Sequence, residues 1–214
     1  SDVCSSDLLS VMKTSGVATL EEARHREVLI GASGTSGQNY TIPVVLNALM
    51  GTKFKIITGY PGINVLHLAM DRGEVHGTAA SWAVIASTKR EWIDRNLINN
   101  LVTIGVDRDP AIPDVPALGE LVTKLEDKAL VPLLAGPAAH GRAWVAFGDI
   151  PRDRLAALRE AFAKTLVDPA YVAEAKQRGL LVEPVGAEKQ MELARQILAT
   201  PDAPVERLKK MLGL

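Results

Sequence analysis

Cysteine is almost absent: the only thiol in 214 residues is Cys4. One cysteine excludes a disulfide framework and a thiolate metal site. Cys4 itself lies in Ser1-Asp-Val-Cys-Ser-Ser-Asp-Leu8, which back-translates to TCA GAC GTG TGC TCT TCC GAT CT, a common short-read sequencing adapter. Residues 1–8 are therefore expected to be an adapter artefact, to be set aside as any cloning scar would be, and a catalytic thiol is set aside with them. Net charge is lacking too: at −1, with Lys and Arg scattered, there is no basic stripe for nucleic acid. Nor is there a long apolar run. The longest, Ala129 to Ala139, is broken by Pro132, Gly136 and Pro137 and is too short for a membrane span, so no membrane insertion is expected.

What remains is an ordinary globular composition, 47% hydrophobic and 23% charged, enough for one large or two small domains. Two glycine-rich turns stand out: Gly31-Ala-Ser-Gly-Thr-Ser-Gly37 and Thr58-Gly-Tyr-Pro-Gly62. Each follows a short apolar run and opens a helical segment. The first backbone N–H groups of a helix have no partner within it and carry its positive dipole end, so each turn can hold a carboxylate or phosphate without a cationic side chain.

The surrounding periodicity alternates between strand and helix. Leu8 to Lys13 reads as a strand. Thr19-Leu-Glu-Glu22 reads as a capping box opening a short helix, and Val28 to Gly31 as a second strand. A helix from about Gln38 to Leu49 is stopped by Gly51. The unit then repeats: strand Phe54 to Thr58, helix Ile63 to Asp71 closed by Gly73, strand Val75 to Ala80. Further on come a helix near Ala83 to Arg95, a strand Leu101 to Val106, a proline-punctuated loop to Pro116 and a helix Ala117 to Leu133. The small-residue stretch Ala135 to Gly141 looks like a crossing between lobes. Arg142 to Phe147 is strand-like, Leu155, Leu158, Phe162 and Leu166 mark a long amphipathic helix, Leu180 to Glu183 is a strand, and two helices fill the C-terminus. Repeated strand, turn and helix units predict an α/β fold with a parallel or mixed sheet, whose ligands sit at the carboxyl ends of the strands.

Tyr60-Pro-Gly62 followed by Leu68-Ala-Met-Asp-Arg-Gly-Glu-Val-His-Gly77 resembles the Tyr-x-Gly turn and helix end of the tripartite tricarboxylate transporter receptors, the TctC or Bug solute-binding proteins. The Gly-x-Ser-Gly turn, Ile112-Pro-Asp-Val-Pro116, Asp168-Pro169 and the closing Gly-x-x-x-Glu-Pro-Val run occur in the family's order, from Ser10 to the C-terminus. The resemblance implies a type II periplasmic-binding-protein fold of two lobes with mixed sheets. Residues 9–137 would be lobe two, the anion-binding α/β unit, and 138–214 the C-terminal part of an incomplete lobe one. It also implies a periplasmic monomer whose signal peptide is lost with the missing N-terminus, which captures a small carboxylate and hands it to tripartite tricarboxylate transporter membrane subunits. Two departures stand out: Pro61 replaces the usual polar residue between Tyr and Gly, and His76 replaces the family's aspartate.

The expected ligand-binding residues are Ser33, Gly34, Thr35, Ser36 and Gly37 in the first turn, Tyr60, Gly62, Ile63 and Asn64 in the second, Ser81 and Trp82 after the third strand, and Arg142 in the crossing region. Plainer roles stand beside these. Gly31 and Gly34 would serve a tight connection equally well, Trp82 would pack a core or lie on a lobe surface, and Arg142 would be a solvated surface arginine. No catalytic residue, metal or cofactor is expected: Gly31 to Gly37 has neither the Gly-Lys-Ser/Thr ending of a phosphate loop nor the Gly-x-Ser-x-Gly of a nucleophile elbow. His25 and His140 are expected at the surface, and His67 and His76 in packing or solvent roles. The alternatives are the effector domain of a LysR-type regulator and a small α/β enzyme acting on an anion.

Overall fold

The computed structural model describes residues 6–141, 143–178, 180, 182 and 184–214. The chain opens on β1 (Asp7–Met12), whose first two residues belong to the segment 1–8, and Leu8 is fully buried. After a 3-10 turn comes α1 (Leu20–His25), then β2 (Val28–Gly31), α2 (Gln38–Met50), β3 (Phe54–Ile57), α3 (Ile63–Asp71) and β4 (Gly77–Ser81). Then follow α4 (Trp82–Thr88), α5 (Arg90–Asp94) and β5 (Ile98–Thr103). The remainder is helical among the described residues: α6 (Leu118–Leu121), α7 (Leu125–Lys128), α8 (Val131–His140), α9 (Arg152–Val167), α10 (Pro169–Gln177), α11 (Ala187–Leu198) and α12 (Asp202–Leu212).

The strands form one mixed sheet in the order β3-β2-β4-β1-β5, with β2 parallel to β3 and β4, and β1 antiparallel to β4 and β5. Strand side chains alternate between faces, and each face has its own apolar cluster. Leu9, Val11, Val28 and Ile30 meet Ile42, Val45 and Leu46 of α2 on one side. Leu8 and Met12 meet Leu66, Ala69 and Met70 of α3, together with Ile85 and Trp92, on the other. Gly77 is required by the sheet: a Cβ there would collide with the carbonyl oxygen of Ser10 on β1.

Several expected elements differ. The helix expected over Ala83 to Arg95 divides at Lys89, which leaves the helical region with φ −136° and ψ 41°. The one expected over Ala117 to Leu133 becomes α6, α7 and α8, because Val122 takes an extended conformation. Ala135 to Gly141 lies within and at the end of α8. The strand expected at Arg142 to Phe147 is not formed: Arg142 lies outside the described residues, and Ala143 to Phe147 form no ladder and are exposed. Likewise Leu180 and Val182 are in no strand, with Leu181 and Glu183 outside the described residues. In both places the sequence favours extended backbone, but among the described residues no strand pairs with it. Within 138–214, α11 packs on α8 and α12 returns to pack on α2, placing Leu208 and Met211 against the first apolar cluster.

Candidate functional site

Because β2, β3 and β4 are parallel, Gly31, Ile57 and Ser81 all end at the same edge of the sheet. Gly31 is in register with Ile57, and the two glycine turns are stitched together beyond them. The Ala32 N–H donates to the Ile57 carbonyl at 2.9 Å, and the Tyr60 N–H donates to the Ala32 carbonyl at 3.4 Å. From β2 the chain passes over one face through α2; after β4 it passes over the other through α4. The gap between β2 and β4 is thus a topological switch point, where crevices form in open α/β sheets.

Both turns present helix N-termini. Gly37, extended at φ −91° and ψ 159°, precedes α2 and accepts at its carbonyl from the Tyr40 and Thr41 N–H groups, both at 3.0 Å. No side chain caps this helix, and among the described residues nothing accepts from the N–H groups of Gln38 and Asn39. Gly62 precedes α3 in the same way, again without a side-chain cap, leaving the N–H groups of Ile63 and Asn64 free of acceptors among the described residues. Gly59 makes the second turn possible, since its φ of 107° is a conformation other residues rarely adopt.

The glycines fall into two kinds. A Cβ on Gly31 would press on Leu66 and Val75 at 3.0–3.2 Å, so Gly31 lets α3 lie close on β2, which is the tight-connection role. A Cβ on Gly34 or Gly62 would meet nothing within 4 Å. These two leave open backbone where a ligand can approach.

The side chains add hydroxyls and no charge. Ser33, Thr35 and Ser36 are exposed. There is no Lys, Arg, Asp or Glu from residue 28 to 52, 56 to 70 or 75 to 88, so neither turn offers an anion a cationic side chain of its own, only backbone dipoles and hydroxyls. Tyr60 and Trp82 are half-buried against the cluster that holds Leu66; packing is therefore part of Trp82's role. Ser81 caps α4, its Oγ accepting from the Val84 N–H at 3.4 Å. Arg142 lies outside the described residues. The structure thus gathers the two turns and Ser81 to Trp82 at one sheet edge.

Two neighbours escaped sequence reasoning. Asn39 folds back on the first turn, its Oδ1 accepting from the Ser33 N–H at 3.4 Å. Gln38 donates from Nε2 to the Leu134 carbonyl at 3.0 Å and to the Asp7 carboxylate at 3.5 Å. Burial pushes the Asp7 carboxyl above the ordinary carboxylate value, with the Gln38 bond opposing it. The only signal for either was an amide residue directly after a glycine turn.

The histidines serve structure. His76 Nδ1 accepts from the Leu29 N–H at 3.1 Å, standing where a sheet carbonyl would. His140 pairs with Gln190 at 2.8 Å, and His25 with Glu21 at 3.3 Å on the surface. His67 is buried, with neither ring nitrogen hydrogen-bonded. A concavity of about 380 Å³ lies elsewhere, between α9 and α11, lined by Arg159, Glu188, Glu192 and Arg195 among others. It is shallow and mixed in charge, unlike the uncharged turns.

No protein-family model and no curated relative matches the chain. Solved structures do. Rpa4515 of R. palustris, determined with adipate, is 19% identical with a TM-score of 0.63; the match covers 98% of this chain and 66% of that one. MatC (Rpa3494) from Rhodopseudomonas palustris, with bound malate, is 19% identical with a TM-score of 0.61, covering 97% and 66%. A TctC solute-binding protein from Polaromonas is 15% identical with a TM-score of 0.59, covering 98% and 66%. The fold is that of the TctC-type solute-binding proteins. The chain spans 66% of the length of these three, so it carries most of that fold and not all of it.

Proposed function

We propose that this chain is the ligand-capturing part of an extracytoplasmic solute-binding receptor of the TctC or Bug family, which takes up a small carboxylate and delivers it to tripartite tricarboxylate-type membrane subunits. The supporting observation is the pair of uncapped helix N-termini, α2 and α3, on stitched turns at one sheet edge without a charged side chain in either turn. Ligands of two structures with the same fold, adipate and malate, are dicarboxylates. The role is binding: the turns bring hydroxyls and N–H donors together, and neither turn carries an Asp, Glu, His, Lys or Arg. No helix among the described residues is long and apolar enough to cross a membrane; the reading assigns delivery to a separate permease.

Magnitudes favour shared binding. One helix terminus contributes about 0.3–1 kcal/mol, rising to ~2 when partly buried, whereas micromolar affinity needs about 8 kcal/mol. Charge-assisted hydrogen bonds at roughly 1.5–3 kcal/mol each close that gap only when water is excluded. Backbone donors at 33–39 and 62–64 supply one side, and an opposing lobe supplies the rest.

The experiment is an amide-resolved NMR titration of the chain with malate and adipate. Shifts confined to Ser33 to Asn39 and Tyr60 to Asn64, with weak affinity, are expected. Shifts elsewhere, or none at millimolar ligand, would remove the reading.

A further inference from the structure

We propose that Asn39 is a built-in occupant of the first glycine turn: its carboxamide oxygen holds the Ser33 N–H that a ligand carboxylate takes over, so that binding turns this side chain out and uncharged analogues are rejected. The proposal rests on the carboxylate reading above and adds to it the step that sets its selectivity.

Three observations carry it. Asn39 Oδ1 accepts from the Ser33 N–H at 3.4 Å, and Ser33 Oγ lies 3.4 Å from both Oδ1 and Nδ2 of the same amide. A side-chain oxygen therefore already stands in the turn, on a backbone donor one residue from Ala32, where the two turns are stitched. Among the described residues no other acceptor meets that N–H. The second observation is Gly37. Its backbone is extended at φ −91°, a conformation open to any residue, yet a Cβ there would stand 2.9 Å from Asn39 Oδ1 and 3.5 Å from Ser33 Oγ. The missing side chain at 37 leaves the space that this oxygen fills. The third is how loosely the oxygen is held. Its bonds are long against the usual length of about 2.9–3.0 Å, Ser33 is exposed and Asn39 only half-buried, so the amide can leave without disturbing a core.

Such an occupant acts as a threshold. A neutral amide, ester or alcohol from solution offers Ser33 an acceptor no better than the one it has, and gains nothing by the exchange. A carboxylate gains, because charge-assisted hydrogen bonds are roughly twice as strong as neutral ones. It also meets the N–H groups of Gln38 and Asn39, which have no acceptor among the described residues and lie at the positive end of α2. Displacing the amide adds the Ser33 donor to these two. Selectivity for an anion is built here without a cation.

The test titrates the unmutated chain, Asn39→Ala and Asn39→Asp with malate and with its neutral diamide by amide-resolved NMR, and measures each thermal midpoint. Asn39→Ala frees the Ser33 N–H, so malate should bind about two- to tenfold tighter, the range of one neutral hydrogen bond. Its preference for malate over the diamide should narrow, and the Ser33 amide should exchange faster, while the midpoint does not rise. Asn39→Asp puts a carboxylate in the same place, at the positive end of α2, so the midpoint should rise. Malate affinity should then fall by about tenfold or more, because two like charges compete for one turn. A residue that merely shaped the turn would move affinity and stability in the same direction in both variants. Weaker malate binding by Asn39→Ala, or undiminished binding by Asn39→Asp, would overturn the proposal and leave the carboxylate reading standing. Malate binding by none of the three would overturn both. Unchanged Ser33 exchange in Asn39→Ala would overturn the proposal without reference to any ligand.

Discussion

Residues 6–140 and 143–214 both carry amphipathic helices, yet only the first stretch buries them. There, five strands give α2 and α3 a face each, and the two apolar clusters fill with fully buried side chains. In the second stretch Ala175 alone reaches the buried class among the described residues. The helical pattern is comparable; the sheet is what differs. Amphipathicity specifies that a face will be covered, and a second layer decides whether it becomes a core. The exception supports this: α12 is buried in part because it leaves its own region and docks on α2.

The largest expected effect measures that contrast directly. Leu46→Ala, in the α2 layer, should cost about 2–5 kcal/mol in urea unfolding of the chain, whereas Leu158→Ala on α9 should stay within about 0.5 kcal/mol, as at other surface sites. Equal losses at the two positions would mean that α9 is already part of a packed core.

Acid should attack the first region from within. His67 of α3 is 1% exposed and touches Trp92 of α5 edge-on, with ring centroids 4.9 Å apart. Trp92 Nε1 donates to Asp71 Oδ1 at 2.7 Å, and Lys89 Nζ bonds Asp71 Oδ2 at 2.5 Å while lying 5.0 Å above the Trp92 ring. Burial first, then the Lys89 charge, lower the His67 pKa to about 4, with Asp71 opposing. The native state thus holds His67 neutral, and the unfolded chain protonates first as pH falls. This contribution is fully present above about pH 6.5 and is lost progressively down to about pH 4, on the order of 3 kcal/mol in all. His67→Phe should flatten that slope in unfolding experiments at pH 7, 5.5 and 4. An unchanged slope would place the acid sensitivity elsewhere.

A smaller effect should separate α12 from its host. Arg207 pairs with the buried Asp127 and, at 3.0 Å, with Glu126, pinning α12 to α7. Arg207→Gln leaves Asp127 short of a charge partner. With Arg207 one-third exposed, the expected cost is about 1–2 kcal/mol, seen as faster proteolysis near Thr200 before global unfolding. Cleavage at an unchanged rate would show that the apolar contacts of Leu208 and Met211 suffice.

Much of the sheet region was legible because its signals are local. Val28 to Gly31 and Phe54 to Ile57 are short apolar runs ended by glycine turns, and the candidate cradle lies in those turns. Less legible was anything set by distant parts of the chain. Nothing in the sequence around Gln38 announces its bond to the Leu134 carbonyl, 96 residues away, and the Asn39 contact with Ser33 depends on how Gly37 turns the backbone. Trp144 to Phe147 was misread for the converse reason. Its composition favours a strand, but a strand is a property of two segments, and no second segment pairs with it among the described residues.

Helix caps give the finest version of the comparison, because a cap is local in both regions while its effect on stability is not. Thr19 Oγ1 accepts from the Glu22 N–H at 3.2 Å, and the Glu22 carboxylate in turn accepts from the Ala18 N–H at 2.6 Å. Asp168 makes the fuller cap, accepting from the Ala170 and Tyr171 N–H groups at 2.9 and 3.1 Å. Each is worth about 1 kcal/mol to its own helix. α1 is built into the sheet region through Leu20 and Ala23, so Thr19→Ala should lower global unfolding stability by that amount. α10 packs chiefly on α9 among the described residues, so Asp168→Ala should reduce helical circular dichroism and hasten exchange in 169–177 while leaving the global midpoint unchanged. A lower midpoint for Asp168→Ala would show that the second region unfolds together with the first, and would require contacts between them stronger than those of α11 and α12.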